Sequence, residues 1–401
     1  MSEVNILHIS PQQFLEMSFS LGRKLFESGF RPKHTISVWR GGTPVGLGVD
    51  AYFRNRGIFM NHTTIATESY TGIGQQSSTV LVKGLEHVIN VICREDDLLI
   101  LDDVYESGRT IEAIVDTLRK RARANCPERI VVGTLHHKPE KQKFGGLPLV
   151  TVQELPGDVW IDYPHELADL VQDDHPDDPR IRSKDARTWE LLHAPAPSPA
   201  VWPHTGPVHW LTAQEVYYDA VELALQMARG HRYVPDVLIA LWPGGIHAGL
   251  PIHEVYKYLQ KKGEIERVPD HVSLNTTRTH QSFRDNIIGL PYLVDRIEQH
   301  HQVLIVDTAF RSGRLISDVI TKLKEKMRRN LSLDRLRVAT LYYNPSEDAT
   351  WSVNPFVKEP HFYRHLVPQK LVYPHAVHRL SDPVADCRRL SPRLHDILFA
   401  P

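Results

Sequence analysis

A chain of 401 residues with 41% hydrophobic and 24% charged content is long enough for two or three cored domains. Its 47 Lys and Arg against 48 Asp and Glu exclude the global basic excess that draws a domain onto nucleic acid. Cys93, Cys126 and Cys387 are too few and scattered for a disulfide framework. With no apolar run near the roughly 20 residues of a membrane span and no basic-then-apolar leader, the expectation is a cytoplasmic protein with neither a membrane nor a nucleic-acid partner.

In chain order, Ser10-Pro11 before FLEMSFSLGRKLF predicts an amphipathic helix with a hydroxyl N-cap. ISVWRGGTPVG at 36–46 predicts a strand running into a glycine turn. LLILDDVYESGRTIEAIVDTLRK from 98 reads as a strand covered on both faces, a pair of acids, a Ser-Gly turn and a helix. VVGTLHHKP at 131–139 follows as a further strand, and VWIDYP at 159–164 comes after it. Residues 172–209 hold QDDHPDDPRIRSKD and HAPAPSPAVWPHTGP, where proline and charge break any periodicity, and they read as a linker.

Beyond that linker the pattern returns. Thr212 precedes AQEVYYDAVELALQM; IALWPGGIHAG (239–249) matches ISVWRGGTPVG; VLIVDTAFRSGRL (303–315) matches LLILDDVYESGRT; RVATLYYNP (337–345) matches VVGTLHHKP; and LVYPH (371–375) matches IDYPH (161–165). The offset is 242 − 39 = 203 at the Trp39/Trp242 pair and 312 − 107 = 205 at Ser107/Ser312. Ordered self-similarity of this kind is the signature of a duplicated unit. The expected organisation is 1–171, a first α/β domain; 172–209, the linker; 210–380, a second copy; and 381–401, a C-terminal tail. Each copy is expected to be a mainly parallel twisted sheet flanked by helices, with a small hood.

The chemistry gathers where the strand of residues 98–101 ends. A strand, a glycine turn and a helix N-terminus aim backbone N–H groups and the positive end of a helix dipole at one point, which suits a phosphate. Ser107 and Thr110 add hydroxyl donors there. Asp102 and Asp103 suit ribose hydroxyls or a hydrated Mg²⁺, a hard ion that prefers carboxylate and phosphate oxygens. Arg40 in its glycine turn suits pyrophosphate, because a guanidinium fork binds oxyanions bidentately. Trp160 offers a flat face to a base. Twenty-three histidines invite a zinc reading, yet His136-His137, His300-His301 and His375 with His378 lack its spacing, and zinc is rejected.

These segments resemble the type I phosphoribosyltransferases, whose signature is a hydrophobic strand, two acids, two spacers and acid-Thr/Ser-Gly-x-Thr. The first copy is most similar to the hypoxanthine and xanthine-guanine enzymes. The resemblance implies transfer of 5-phosphoribosyl from phosphoribosyl pyrophosphate to a 6-oxopurine-like base, with Mg²⁺ as cofactor. It implies Glu106 as general base, with Arg40, Asp102 and Asp103 as the other catalytic residues. Gly41, Gly42, Ser69, Tyr70, Ser107, Gly108, Arg109 and Thr110 would bind phosphoribosyl pyrophosphate; Lys138, Trp160 and Ile161 the base; and Asp102, Asp103 and Asp162 the metal. The family usually carries Asp where Glu106 stands, which leaves the accepted base open.

The second copy loses this set: Arg40 becomes Pro243, Asp102-Asp103 becomes Asp307-Thr308, Glu106 becomes Arg311, Thr110 becomes Leu315, Lys138 becomes Asn344 and Trp160 becomes Lys370. It is expected to be structural or regulatory, completing an intrachain pseudo-dimer that can assemble further into a homo-oligomer. The resemblance also implies a cis peptide at Trp39–Arg40, and Pro243 is expected to keep its counterpart cis at Trp242–Pro243. Two other readings are a regulator that senses phosphoribosyl pyrophosphate or a nucleotide, which would keep the phosphate turn and lose the base-handling residues, and a phosphoribosyl pyrophosphate synthetase, for which no second nucleotide site is found.

Overall fold

The computed structural model describes residues 5–72, 75–167, 185–277, 287, 289–294, 296–345 and 356–400, without the side chains of 68–79, 81, 291, 292 and 379. Two compact units emerge. One comprises Met1–Leu7, Gln13–Ile161 and His375–Pro401, and the other His8–Gln12 and Asp162–Pro374.

The first unit carries β1 (Ile6–His8), α1 (Pro11–Glu27), β2 (His34–Trp39), α2 (Gly42–Arg54), β3 (Asn61–Gly72), β4 (Gln75–Lys83), α3 (Glu86–Val91), β5 (Asp97–Tyr105), α4 (Arg109–Ala122), β6 (Arg129–His137), β7 (Leu149–Glu154) and β8 (Trp160–Asp162), of which His8, Pro11, Gln12 and Asp162 are counted with the second unit. Its sheet has the order β4-β3-β2-β5-β6-β7. Only the β3–β4 edge is antiparallel. Leu98, Leu99, Ile100 and Leu101 are fully buried, as a strand covered by helices on both faces requires. Ile36, Ile100, Ile114 and Leu118 belong to one core cluster between the sheet and α4.

The second unit carries α5 (Ala186–His193), β9 (Ala200–Val201), β10 (Val208–Trp210), α6 (Ala213–Leu225), β11 (Val237–Trp242), α7 (Gly244–Lys261), β12 (Asp270–Asn275), α8 (Leu290–Val294), β13 (Val303–Phe310), α9 (Arg314–Met327), β14 (Leu336–Tyr343), β15 (Phe362–Leu366) and β16 (Lys370–Val372). Its sheet order is β12-β11-β13-β14-β15-β9, with every described pairing parallel. Five consecutive strands, β3-β2-β5-β6-β7 in one unit and β12-β11-β13-β14-β15 in the other, share one order. Equivalent bonds recur at their ends: Lys138 N donates to Tyr105 O and Asn344 N to Phe310 O, both at 2.9 Å. Thr212 caps α6 as expected, in a full capping box with Glu215.

Two stretches read from sequence as linker and tail carry structure. Residues 172–184 of the expected linker lie outside the described residues, but α5 is capped by Asp185 and β9 pairs with β15. The expected tail holds α10 (Pro383–Leu390) and α11 (Pro392–Phe399), which belong to the first unit. Arg393 Nε pairs with Glu16 Oε2 at 2.7 Å, Arg23 donates to Asp396 O, and Arg56 donates to Leu398 O at 2.6 Å. Cys387, Leu394 and Leu398 are buried. Leu394 and Leu398, four apart, turn one apolar face of α11 inward.

His62 on β3 is enclosed in the first unit, its Nε2 2.9 Å from Ser37 Oγ. Burial, and then the Arg54 charge, push it down to about 3. A histidine held below its free value adds stability that is present above about 6.5 and is lost as pH falls toward 3. Between pH 7 and pH 5 this group should remove roughly 2 kcal/mol, at about 1.4 kcal/mol per unit below its free value. Urea melts of the protein and its His62→Gln variant at the two pH values check this: the variant should show the shallower pH dependence, and equal slopes would disprove the assignment.

Candidate active site

The site forms where β2 and β5 end side by side, paired from His34↔Leu98 to Ser37↔Leu101. After β2 the chain turns through Arg40, Gly41 and Gly42 into α2. The turn lies so close to β5 that side chains are excluded. A Cβ on Gly41 would stand 2.0 Å from Asp103 Oδ2, and one on Gly42 2.2 Å from Leu101 O. Only glycine allows a backbone to approach this closely. Trp39–Arg40 is a cis peptide, as expected from the resemblance, and so is Trp242–Pro243 in the second unit.

Asp102 and Asp103 stand at this junction. Asp103 N donates to Asp102 Oδ1 at 3.1 Å, and Val104 N to Asp103 Oδ1 at 2.8 Å. Desolvation raises Asp102 well above the usual carboxylate range, and the neighbouring Asp103 charge adds to this. Two desolvated carboxylates side by side are a like-charge arrangement that a hard cation relieves. The donor set therefore fits Mg²⁺. Behind them sits His136, buried on β6 and pushed down to about 4 by desolvation.

Beyond β5, Glu106, Ser107 and Gly108 lead into α4. Gly108 has φ 81°, a left-handed conformation that favours glycine. Its own turn is braced from behind: Lys143 N and Phe144 N both donate to Ser107 O at 3.1 Å, and Tyr105 Oη donates to Phe144 O at 2.9 Å. Arg109 N lies 3.4 Å from Ser107 Oγ. Arg109 is exposed and Thr110 half-buried at the first turn of α4, so the helix N-terminus faces outward as a phosphate site needs.

Two of the residues expected to handle the base meet in a way that their sequence separation hides. Lys138, buried at the end of β6, forms an ion pair with Glu106, and Lys141 Nζ lies 3.7 Å from the same oxygen. The residue assigned as general base and the residue assigned to a 6-oxo group are thus direct neighbours. Trp160 is 54% exposed, whereas Ile161 beside it is buried. A lone core tryptophan would be hidden; this ring presents a face to solvent.

Not every expected site residue is gathered here. Asp162 is counted with the second unit, where it is buried and paired with His8 Nδ1 at 2.7 Å. Ser69 and Tyr70 fall on β3, and their side chains lie outside the described residues. Sequence reading missed the Tyr105, Lys141 and Phe144 supports and His136. Of these, only the HHKP string around His136 carried a signal.

The second unit keeps the shape of the turn and redirects its side chains. A Cβ on Gly245 would lie 2.4 Å from Val306 O, matching the Gly42 approach, and Gly313 has φ 66°, matching Gly108. Asn344, at the Lys138 position, donates to Val367 O at 2.6 Å and Gln369 O at 2.9 Å. Its amide is committed to holding backbone.

No family model matches the chain, and no curated protein matches it. Among solved structures, a hypothetical protein from Neisseria gonorrhoeae with bound ppGpp is 20% identical, covering 41% of this chain and 90% of that one, with a TM-score of 0.34. A purine phosphoribosyltransferase from Pyrococcus horikoshii is 21% identical over 40% of this chain and 93% of that one, TM-score 0.31. The Helicobacter pylori xanthine-guanine-hypoxanthine phosphoribosyltransferase is 19% identical over 40% and 92%, TM-score 0.32.

Proposed function

We propose that the first unit transfers 5-phosphoribosyl from phosphoribosyl pyrophosphate to a ring nitrogen of a 6-oxopurine-like base, releasing pyrophosphate. The observation that carries this reading is the convergence of three elements at the carboxyl ends of β2, β5 and β6: the Arg40-Gly41-Gly42 turn packed onto Asp103, the outward N-terminus of α4, and the Glu106–Lys138 pair. Arg40 neutralises the departing pyrophosphate, and backbone N–H groups from Ser107 to Thr110 hold the 5-phosphate. Glu106 takes the proton from the base nitrogen while Lys138 donates to the exocyclic oxygen. Trp160 stacks on the ring. Bound at Asp102 and Asp103, Mg²⁺ would supply positive charge to the pyrophosphate oxygens. Ser69 and Tyr70, on the β3–β4 ribbon rather than a loop, would close over the site and exclude water from the reacting carbon.

The second unit acts as a non-catalytic partner, since it lacks the arginine, acid pair, base and lysine together. No described helix is long and apolar enough to cross a membrane, and the protein works on small molecules in the cytoplasm.

Incubating the full chain with phosphoribosyl pyrophosphate, Mg²⁺ and a panel of purine bases, and following pyrophosphate release, tests the reading. Base-dependent release supports it; binding of phosphoribosyl pyrophosphate without turnover on any base favours a sensor instead. Arg311→Ala and Lys370→Ala should leave turnover within about twofold of the parent, as expected of surface changes away from a site. Loss of turnover in either folded variant would place chemistry in the second unit.

A further inference from the structure

In the second unit, three side chains from three elements face one point. His204 lies on the turn before β10, His209 on β10 itself, and Glu215 in the first turn of α6. Glu215 Oε1 is 3.2 Å from His209 Nε2 and 3.9 Å from His204 Nε2, and the three ligand atoms all fall within 4.8 Å of one another. We propose that these residues bind a divalent metal ion of the zinc class, a site separate from the chemistry of the first unit.

The donor set is two imidazoles and a carboxylate, which suits a borderline ion and leaves a fourth position for water. With metal–ligand bonds of about 2.0–2.1 Å, tetrahedral ligand atoms stand roughly 3.3 Å apart. The His209–Glu215 separation already matches. The His204 separation closes by roughly half an ångström, which its exposed ring can supply by turning. The rings stack at 4.2 Å and 21°, so binding requires the exposed His204 ring to rotate out of the stack until its Nε2 lone pair points at the ion. Without metal, neutral His209 donates its Nε2–H to Glu215 Oε1; a bound cation replaces that proton.

The surroundings hold the ligands as outer supports of metal sites do. Glu215 Oε2 accepts from Thr212 N at 2.7 Å and Thr212 Oγ at 2.8 Å, which leaves Oε1 aimed at the histidines. Gln369 Nε2 donates to His204 O at 2.7 Å, and Lys370 N to Pro207 O at 3.2 Å, pinning the turn from both ends. Buried Trp202 forms a wall, 5.0 Å from the His204 ring and 5.2 Å from that of His209. The spacing His-x4-His-x5-Glu is not a recognised metal motif. The site exists because β10 and the capping box of α6 adjoin.

Calorimetric titration of the full chain with Zn²⁺ in saturating Mg²⁺, and visible spectra with Co²⁺, test the proposal. Wild type should bind one equivalent that is lost in both His204→Ala and His209→Ala, together with the tetrahedral Co²⁺ bands. His300→Ala, in the exposed Glu298-His300-His301 cluster, should keep that equivalent. Because His204 is exposed, its variant is expected to fold, and unchanged melting without metal verifies this. The same number of equivalents in wild type and His204→Ala, or loss in His300→Ala instead, would overturn the assignment.

Discussion

Glu106→Gln should lower turnover by 10²-fold or more, the scale of a positioned general base, with the melting temperature little changed. The amide keeps the size and a carbonyl acceptor for Lys138 but cannot accept a proton. The side chain is part-exposed and bonded to Lys138 and Lys141 rather than to the core, so the fold survives. Glu106→Asp should recover most of the activity if the carboxylate is the functional group. Undiminished turnover in Glu106→Gln would remove this residue from the mechanism.

Asp102→Asn should have opposite effects on activity and stability. Turnover with Mg²⁺ should fall roughly 10²- to 10³-fold, as when one charge-stabilising group is removed. Metal-free stability at neutral pH should rise. The sign follows from the raised carboxyl of Asp102: a group held above its free value adds stability at low pH and loses that contribution as pH climbs through its folded value. At neutral pH the raised, desolvated carboxyl therefore costs stability, and Asn removes that cost while retaining an acceptor for Asp103 N. The melting temperature should increase by about 2–4 °C per kcal/mol relieved in a unit of this size. Differential scanning calorimetry with and without Mg²⁺ measures it; a lower metal-free melting point for Asp102→Asn would mean that the pair is structural rather than a cation site.

Much of this was legible in the sequence because the informative features are local. The run from Leu98 to Thr110 states its strand, acids, turn and helix in consecutive residues, and its echo from Val303 to Leu315 carries the same strand, glycine and helix. What stayed hidden depends on contacts between distant segments. Glu106 and Lys138 are 32 positions apart and meet only because β5 and β6 pair in parallel. Asp162 sits in a motif beside Trp160 yet is paired with His8 at the other end of the domain's sequence. The helices α10 and α11 are eight residues each, too short for a periodicity to stand out beside their prolines, and α5 was masked by the charge and proline around it.

The return of residues 383–399 to the first unit has a consequence for biosynthesis. A ribosome delivers α1 and α2 early, but Arg393, Asp396 and Leu398, which engage Glu16, Arg23 and Arg56, emerge only after the whole second unit has been made. Domains generally fold as units during synthesis, the N-terminal one first. Here the first unit's sheet can form early, while the surface of α1 that receives α11 stays open to solvent, chaperone or protease until residues 383–399 emerge. Completion of the first unit is thereby tied to synthesis of the second, so a product truncated before residue 383 carries a recognisable, uncapped face.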